Sequence, residues 1–259
     1  MKNKLDILIT TFLRNDKLAN LVSSIPEKYK ERILIGDQNE IKNNQYWDNL
    51  IYLPYNCGLS VARNELVRAT EKEFVLILED DFEFTHETNI EKMIELMSIS
   101  PEIGIVGGRV QQNDIDIPFE FIPTIEDGIL YHKDDGNDWK IHNGIIYKET
   151  GCCLNFMLVR REVFKDVRWD EKLKLREHVD FFLRLKNTKW KVLFTPDVKI
   201  KDAKTRPSEE YKRIKKENQD LSLPYLFEKH IIHKIIYKNG FTYEIKNGII
   251  SHYKSPINN

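Results

Sequence analysis

The feature that most constrains the fold of this chain is a short apolar segment that ends in three acids. Residues 74–78 are all apolar and have the length of one strand, and Glu79, Asp80 and Asp81 follow directly. Such a run is typical of a strand buried on both faces of a parallel sheet, whose carboxyl end binds ligands. Adjacent carboxylates resist burial unless a positive charge lies among them. A divalent cation that carries a diphosphate is the simplest source of that positive charge. The alternative interpretation is that these acids bind nothing and form an acidic loop or a charge cluster at a helix N-terminus.

Composition and charge narrow the classes of protein that fit the chain. The 259 residues carry 40 basic and 41 acidic side chains, so no overall field favours nucleic acid or an anionic membrane. No apolar run approaches the roughly 20 residues that span a bilayer, and the N-terminus lacks a signal-peptide core. Cys57, Cys152 and Cys153 match no disulfide framework or spaced metal motif. We therefore predict a cytoplasmic protein with reduced cysteines.

Alternating strand and helix patterns predict an α/β domain. Apolar runs predict strands at residues 5–9, 32–38, 50–53, 74–78 and 103–108. Helical spacing predicts helices at residues 17–24, 60–70 and 88–98. Ser60 is the predicted N-cap of the second helix, which puts Arg63 and Asn64 in its first turn. We predict a single Rossmann-like, mostly parallel sheet flanked by helices.

The later part of the chain has a different pattern. Short alternating runs with Pro and Gly fill residues 110–147, and they predict strands and loops laid over the core, where an acceptor binds. Further strands are predicted at residues 151–159, at residues 190–194 and, as an edge segment, at residues 196–202. A charged helix around residues 208–219 precedes two Asn-Gly turns, which predict a small antiparallel three-stranded sheet within residues 233–253.

A helix predicted over residues 174–185 carries a second group of candidate functional side chains. Glu177 and Asp180 are three residues apart and share one face of this helix, and His178 lies beside them. Charges of this kind also occur as surface pairs with neighbouring arginines. A carboxylate or imidazole near a substrate hydroxyl can accept its proton, so these three residues are candidate general bases.

Several separated motifs resemble those of GT-A type nucleotide-sugar glycosyltransferases of the broad glycosyltransferase family 2. The resemblance runs from about residue 5 to residue 202 and includes the acids 79–81 in the place of the family's DXD motif. It assigns nucleotide-sugar binding to Thr10, Thr11, Arg14, Asp37, Gly58, Arg63, Asn64 and Asp80. It assigns the binding of Mn²⁺ or Mg²⁺ to Asp81, Glu79 and Asp202.

Within the family, the segments around Asp81 and Glu177 are most similar to the β-1,4-N-acetylgalactosaminyltransferases of ganglioside-synthase type. Two positions depart from the family pattern. Many members have a Glu-Asp pair where this chain has Glu177 and His178, so the general base stays open among Asp180, Glu177 and His178. Members often place a metal-binding histidine where this chain has Asp202, and aspartate is an equally suitable ligand for Mn²⁺ or Mg²⁺.

The resemblance also implies a division of the chain. Residues 1–205 are expected to form the glycosyltransferase domain, and residues 206–259 an extension made of a helix and a β-meander. Within the domain, residues 1–109 are expected to bind the nucleotide sugar. Residues 110–205 are expected to bind the acceptor and to supply the catalytic base.

The implied reaction transfers a sugar from a UDP-sugar to a glycan or glycolipid acceptor in surface polysaccharide or glycolipid synthesis. GalNAc is the first candidate for the transferred sugar, and another hexose or N-acetylhexosamine is the alternative. A metal that stabilises the leaving diphosphate, with one base opposite it, implies inversion at the anomeric carbon. A peripheral contact with the inner face of a membrane through residues 225–237, and a homo-oligomer, are further hypotheses. Two alternatives stay open: a metal-dependent phosphohydrolase with Asp81 as nucleophile, and a non-catalytic nucleotide-sugar binder.

Overall fold

The acid-bearing segment lies in the middle of a large mixed sheet. The computed structural model of the chain describes residues 4–40, 49–113, 115–203 and 207–254. The strands in chain order are β1 Leu5–Thr11, β2 Ile33–Asp37, β3 Leu50–Tyr52, β4 Phe74–Glu79, β5 Phe82–Glu83, β6 Ile103–Gln112, β7 Ile115–Asp116, β8 Ile122–Glu126, β9 Ile129–Lys133, β10 Lys140–His142, β11 Ile145–Thr150, β12 Met157–Arg160, β13 Lys191–Asp202, β14 Lys234–Ile236, β15 Phe241–Lys246 and β16 Ile249–Lys254. The helices are α1 Asn15–Ser24, α2 Glu27–Lys30, α3 Leu59–Arg68, α4 Ile90–Met97, α5 Val163–Asp166, α6 Glu177–Leu185 and α7 Glu209–Lys229.

The main sheet confirms the predicted α/β architecture, but it is mixed rather than mostly parallel, because the strands added after β4 pair largely antiparallel. Its strand order is β10-β11-β13-β6-β12-β4-β1-β2-β3, and the short strands β5 and β7 pair with β13 and β6. Strands β1 to β4 are parallel to their neighbours within that group, whereas β12 runs antiparallel between β4 and β6. Residues 74–78 are buried throughout, as a strand covered on both faces must be. The acids that follow β4 therefore leave the sheet at its centre.

Two strand predictions need correction. The strand predicted at residues 151–159 is shorter and begins later, since β12 covers only Met157–Arg160. The predicted edge segment 196–202 is instead the second part of one long strand, β13, which pairs with β6 on one side and with β11 and β5 on the other. Its register with β6 shifts between Thr195 and Lys199. Pro196, which has no N–H to donate, falls inside this irregularity, and the strand continues past it.

Helix α3 begins earlier than predicted. Gly58, with φ +93°, occupies the N-cap position that was expected for Ser60. The Ser60 hydroxyl instead donates a hydrogen bond to the carbonyl oxygen of Leu173 at 2.6 Å. Arg63 and Asn64 consequently fall in the second turn rather than the first, away from the free N–H groups of the helix end.

A second, five-stranded sheet has the order β16-β15-β14-β9-β8. Its strands β14, β15 and β16 are the predicted antiparallel meander, and the turns contain Gly240 and Gly248 at positive φ. Strand β14 also pairs in parallel with β9. The sheet therefore joins segments from both sides of the predicted boundary at residues 205 and 206, which lies outside the described residues.

Helix α7 is longer than the charged helix predicted around residues 208–219, and it packs into the main core. Leu223, Leu226 and Phe227 on α7 belong to the same buried cluster as Ile77 on β4. The helix continues through Pro224, which removes one backbone donor from it. Among the described helices, none is long and apolar enough to cross a membrane.

Two leucines on α7 provide a matched test of this packing. Leu226 is 1% exposed and Leu221 is 69% exposed. We expect Leu226→Ala to lower the free energy of unfolding by about 2–5 kcal/mol, because it leaves a cavity in the core. Leu221→Ala should change it by less than about 0.5 kcal/mol. Urea denaturation of both variants checks the prediction, and equal effects would contradict the packing of α7 on the core.

Candidate active site

A cleft of about 720 Å³ opens where β1 and β4 end. Its lining includes the loop after β1, the acids 79–81, residues 174–179 at the start of α6, and part of α7. Open α/β sheets bind ligands at this edge, because the strand ends direct polar groups into one crevice. Some of the residues predicted for the donor and some of those predicted for catalysis therefore line the same space.

A cation of the chain itself lies among the acids. The buried Asp80 accepts a hydrogen bond at Oδ2 from Thr11 Oγ1 at 2.9 Å, and its Oδ1 lies 2.5 Å from a terminal nitrogen of Arg14. The other terminal nitrogen of Arg14 donates to Asp81 Oδ2 at 2.6 Å. Burial raises the pKa of Asp80 to about 7 and also raises that of Asp81, while Arg14 opposes both shifts. Arg14 thus offsets part of the cost of burying two adjacent carboxylates.

Helix α7 reaches this acid cluster through an aromatic side chain. The guanidinium carbon of Arg14 lies 4.9 Å from the centre of the Tyr211 ring, within the range of a cation–π contact. The α7 side chains that line the cleft are Tyr211, Ile214, Lys215, Asn218 and Gln219. None of them was predicted as a site residue. Their recurrence every three or four residues marks one face of a helix, and that spacing was the available signal.

A buried arginine connects the acids of β4 with those of α6. One terminal nitrogen of Arg63 donates to Glu177 Oε1 at 2.6 Å, and the other lies 3.8 Å from Glu79 Oε1. Asn155 Nδ2 also donates to Glu79 Oε1 at 2.6 Å. Glu79 and Glu177 line the cleft, whereas Arg63 is absent from the lining that the described residues form. Arg63 was predicted to contact the nucleotide sugar, but its guanidinium is directed to these two carboxylates.

His178 faces the cleft in a defined protonation state. Its Nε2 lies 2.5 Å from the carbonyl oxygen of Cys153, which can only accept, so Nε2 carries the proton and Nδ1 carries a lone pair. Nδ1 is buried and has no hydrogen-bond partner among the described side chains and backbone. Burial, helped by the positive charge of Arg63, lowers the pKa of His178 to about 4. The imidazole is therefore neutral at pH 7, with Nδ1 available to accept a proton.

Asp180 does not fit its predicted role as general base. Its fully buried carboxylate accepts hydrogen bonds from Arg184 and His230 and lies 2.6 Å from Lys229 Nζ. It is not part of the cleft lining formed by the described ranges, which includes Glu177, His178 and Val179. Although burial by itself would raise the pKa of Asp180, the bonds from His230, Arg184 and Lys229 lower it to about 2. Helix α6 thus directs Glu177 and Asp180 to different partners.

Two further predicted donor residues have structural contacts instead. Asp37 is buried, and its Oδ1 accepts hydrogen bonds from the backbone N–H and side-chain amide of Asn39. Asn64 donates to the carbonyl oxygen of Trp169 and accepts from its N–H, which ties α3 to the segment before α6. Within the described part of the chain, the cleft lining includes neither residue. Both positions were predicted to contact the nucleotide sugar.

Gly58, Thr10 and Thr11 do line the cleft, as their predicted role requires. A Cβ atom on Gly58 would lie 2.7 Å from Lys174 Cγ and 2.9 Å from Lys174 Cα. The positive φ and this close approach both require glycine. Its N–H donates to the side-chain carbonyl of Gln38 at 2.9 Å. The loop before α3 is thereby held against the segment that leads into α6.

The predicted metal ligands offer oxygen donors, which suit Mn²⁺ or Mg²⁺. Asp81 Oδ1 is buried without a hydrogen-bond partner in the described part of the chain. Asp202 also lines the cleft, and its neighbour Ala203 donates its N–H to the Asp81 carbonyl oxygen at 2.8 Å. No three His, Cys, Asp or Glu side chains of the described residues converge closely enough to hold an ion. Two carboxylates are nevertheless sufficient for Mg²⁺ when substrate phosphates and water complete its coordination, so these residues fit the ion.

Comparison with known families decides the assignment of the chain. The family model for glycosyl transferase family 2 matches residues 6–168, more than half of the sequence. The chain belongs to glycosyl transferase family 2. This family 2 protein is 28% identical to mouse β-1,4 N-acetylgalactosaminyltransferase 1 over 190 residues, which are 68% of the chain and 35% of the mouse protein. It is 26% identical to mouse β-1,4 N-acetylgalactosaminyltransferase 2 over 186 residues, which are 71% of the chain and 36% of that protein.

Solved structures show that the family 2 chain has the GT-A fold. GalNAc-T7 with UDP, GalNAc and Mn²⁺ matches with a TM-score of 0.56 at 13% identity, over 88% of this chain and 54% of that one. Staphylococcus aureus TarS 1-349 in complex with UDP-GlcNAc matches with a TM-score of 0.55 at 14% identity, over 84% of this chain and 66% of that one. The fold and the family assignment of the sequence are therefore confirmed.

The phosphohydrolase alternative loses support from the geometry of this family 2 protein. In that alternative, residues 81–85 would be a D-x-D-x-T nucleophile motif in which Glu83 stands for the second acid. Glu83 lies on β5, where its carboxylate is 3.8 Å from Lys201 Nζ. It is not among the described residues that line the cleft. The second acid of that motif therefore does not face the same space as Asp81.

The ion cluster at Asp180 gives a stability prediction with a defined pH dependence. We expect Asp180→Asn to lower the free energy of unfolding by about 2 kcal/mol at pH 7, a value discounted for the partial exposure of its cationic partners. The pKa of Asp180 is lowered from 3.8 to about 2 in the folded protein, so the difference from wild type should be complete above about pH 4. It should disappear as the pH falls through 2. Urea denaturation between pH 2 and pH 7 measures it.

Asp220→Asn is the matched control, because the Asp220 side chain is 59% exposed and pairs only with Lys216 on the same helix within the described residues. Its free energy of unfolding should change by less than about 0.5 kcal/mol. A stable Asp180→Asn variant that has lost all sugar transfer would contradict the structural role and restore Asp180 as a candidate base.

Proposed function

We propose that this family 2 protein transfers a sugar from a UDP-sugar to a hydroxyl of a glycan or glycolipid, with inversion at the anomeric carbon. One observation carries the proposal: a single cleft is lined by the acids Asp81 and Asp202 and also by Glu177 and His178 at the start of α6. Inverting transfer needs such an arrangement, with a group that stabilises the leaving diphosphate and a base for the attacking hydroxyl.

On the donor side, Asp81 and Asp202 would hold Mn²⁺ or Mg²⁺ together with oxygens of the diphosphate. The bound cation would supply Lewis acidity that stabilises the negative charge of the leaving UDP. Arg14 and Lys17 line the cleft and bring fixed positive charge to the same region. When the diphosphate and its cation bind, Arg14 is free to exchange its contacts with Asp80 and Asp81 for contacts with phosphate oxygens.

On the acceptor side, His178 fits the role of base better than Asp180. The hydroxyl proton would pass to Nδ1 as the hydroxyl oxygen bonds to the anomeric carbon, and the bond from that carbon to the diphosphate would break with its electron pair on UDP. The Cys153 carbonyl holds Nε2–H and would stabilise the imidazolium. With a pKa of about 4, His178 is as basic as an ordinary carboxylate. A general base of this kind typically increases the reaction rate by about 10²–10⁴-fold. Glu177, bound by Arg63, would position this turn of α6.

The donor and the acceptor are proposed by class. Two relatives are named for N-acetylgalactosamine transfer, and the TarS structure is a complex with UDP-GlcNAc. These names favour a UDP-N-acetylhexosamine as the donor. The chain spans 35% and 36% of the lengths of the two mouse relatives, so their full activities are not transferred to it. In this proposal, residues 1–109 together with Asp202 supply the donor contacts, and the rest of residues 110–205 with the extension supplies the acceptor contacts.

A screen of UDP release tests the proposed function. We expect the wild-type protein with Mn²⁺ to release UDP from one UDP-sugar of a panel that includes UDP-GalNAc, UDP-GlcNAc, UDP-Gal and UDP-Glc. Asp81→Asn should reduce the rate by about 10²-fold or more, since it removes a ligand of the ion that stabilises the leaving group. Asp220→Asn, an exposed substitution of the same kind, should leave the rate unchanged.

A thermal-shift measurement separates the remaining alternative. A non-catalytic binder would gain stability from UDP and Mn²⁺ and yet release no UDP from any donor, with or without an acceptor. A product with the donor's anomeric configuration would contradict inversion. Full activity of His178→Phe would contradict the role of His178 as the base.

A further inference from the structure

One side of the cleft consists of aromatic side chains from four separated segments. Phe119 precedes β8, His132 lies on β9, His178 lies in the first turn of α6, and Tyr237 follows β14. We call these four residues the aromatic wall. Tyr237 belongs to the C-terminal extension, so this wall combines both parts of the chain. None of the donor residues assigned above belongs to it.

Contacts between the rings hold the wall in place. The His132 ring stacks on Phe121, with a centroid distance of 3.8 Å and an interplanar angle of 6°. Tyr237 lies 4.4 Å from His132, and Phe119 lies 5.5 Å from His178, between ring centroids. Phe121 is buried, with 2% of its surface exposed. The wall is therefore anchored in the core and needs no ligand to assemble.

Arg176 fixes the one hydroxyl of the wall. Its two terminal nitrogens donate to the hydroxyl oxygens of Tyr237 at 2.8 Å and Tyr243 at 2.9 Å. It occupies the N-cap position of α6 with φ +66°, which directs the chain into the helix that carries His178. The tyrosines from the extension and the start of α6 are thus connected by charge-assisted hydrogen bonds.

Two nitrogen atoms of the wall, His132 Nε2 and His178 Nδ1, are buried and have no hydrogen-bond partner in the described ranges. His132 is only 8% exposed, so an unpaired nitrogen there is costly. Burial, together with Arg176, lowers the pKa of His132 to about 3, and burial lowers that of His178 to about 4. Both rings are neutral at pH 7. A ligand hydroxyl satisfies either nitrogen, because it can donate or accept.

The neutral imidazoles and aromatic rings of the wall favour a neutral sugar over a diphosphate as the ligand. Neutral imidazoles offer no charge to a phosphate, and a lone pair on His178 Nδ1 repels its oxygens. The guanidinium of Arg176 is already bonded to two tyrosines. A pyranose ring carries apolar C–H faces that pack on aromatic rings, and hydroxyl groups at its edge. Sites of this type combine apolar lining with a few fixed polar atoms.

We propose that the aromatic wall is an acceptor subsite, which binds a neutral pyranose of the acceptor glycan against Phe119 and Tyr237, with one hydroxyl at His132 Nε2 and the attacking hydroxyl at His178 Nδ1. The proposal rests on the proposed function and assigns its acceptor contacts. It makes His132 a binding residue and the C-terminal sheet a part of the active site. Donor binding should not depend on either.

The variants His132→Phe and Tyr237→Leu test the subsite. Phenylalanine keeps a ring to stack on Phe121 and removes the nitrogen. His252→Phe is the matched control, because His252 is exposed on β16 and contacts aromatic rings of the same sheet without lining the cleft that the described residues form. The probes are methyl β-glycosides of galactose, glucose and N-acetylglucosamine. Their binding is measured by saturation-transfer NMR in the presence of UDP and diamagnetic Mg²⁺, and KM is measured with the donor found in the UDP-release screen.

We expect at least one glycoside to bind the wild-type protein. His132→Phe and Tyr237→Leu should each raise its KM about tenfold or abolish its NMR signal, as expected when one polar or stacking contact is lost. The stabilisation by UDP and Mn²⁺ should stay at the wild-type level in both variants. Wild-type behaviour of His252→Phe completes the expected result. Retained UDP binding in a variant also shows that the variant is folded.

Two outcomes overturn the subsite. One is that no glycoside binds the wild-type protein, and the other is that binding is unchanged in both His132→Phe and Tyr237→Leu. A failure of the proposed function is recognised separately, by a wild-type protein that releases no UDP. Loss of glycoside binding in His132→Phe would then still support a saccharide subsite at the wall. If His132→Phe does not fold, the same result with Tyr237→Leu decides the question.

Discussion

The site depends on how the chain compensates the carboxylates at the end of β4. Glu79, Asp80 and Asp81 leave the centre of the sheet together, and all three are compensated by side chains of the chain itself. Arg14 lies between Asp80 and Asp81, whereas Glu79 is contacted by the buried Arg63 and by Asn155, which lines the cleft. Removing one member of a buried charge pair costs more than the pair contributes, so these arginines constrain the loop after β1 and helix α3 as well as the acids.

Much of this arrangement follows from the sequence, because strand and helix periods are local. The apolar run 74–78 predicted a buried central strand, and the motifs at Thr10, Gly58 and Asp81 placed cleft residues correctly. Spacing alone predicted that Glu177 and Asp180 share a helix face, but not which partners each carboxylate meets. Arg63 meets Glu177, whereas Lys229 and His230, from the far end of α7, meet Asp180. Such long-range pairs are decided by tertiary packing and leave no periodic signal.

The sequence did not predict that α7 and the second sheet supply side chains to the cleft. A helix with many charged residues is predicted to lie on the surface, because charged side chains cover most of it. Its cleft-facing side chains include polar ones, Asn218 and Gln219, which resemble surface residues in sequence. That these side chains line the cleft follows only from the tertiary position of the helix. The same holds for Tyr237, whose position depends on the pairing of β14 with β9.

That pairing also has a consequence for how the protein is made. Ile129 and Lys234 are neighbours in the second sheet, although about a hundred residues separate them along the chain. During synthesis the strands β1 to β4 emerge early and can collapse with their own helices. Strand β9 stays without its neighbour β14 until that strand is translated. The loops proposed to contact the diphosphate can therefore form before the surface proposed to bind the acceptor sugar. An edge strand left exposed in that interval is open to pairing with other chains.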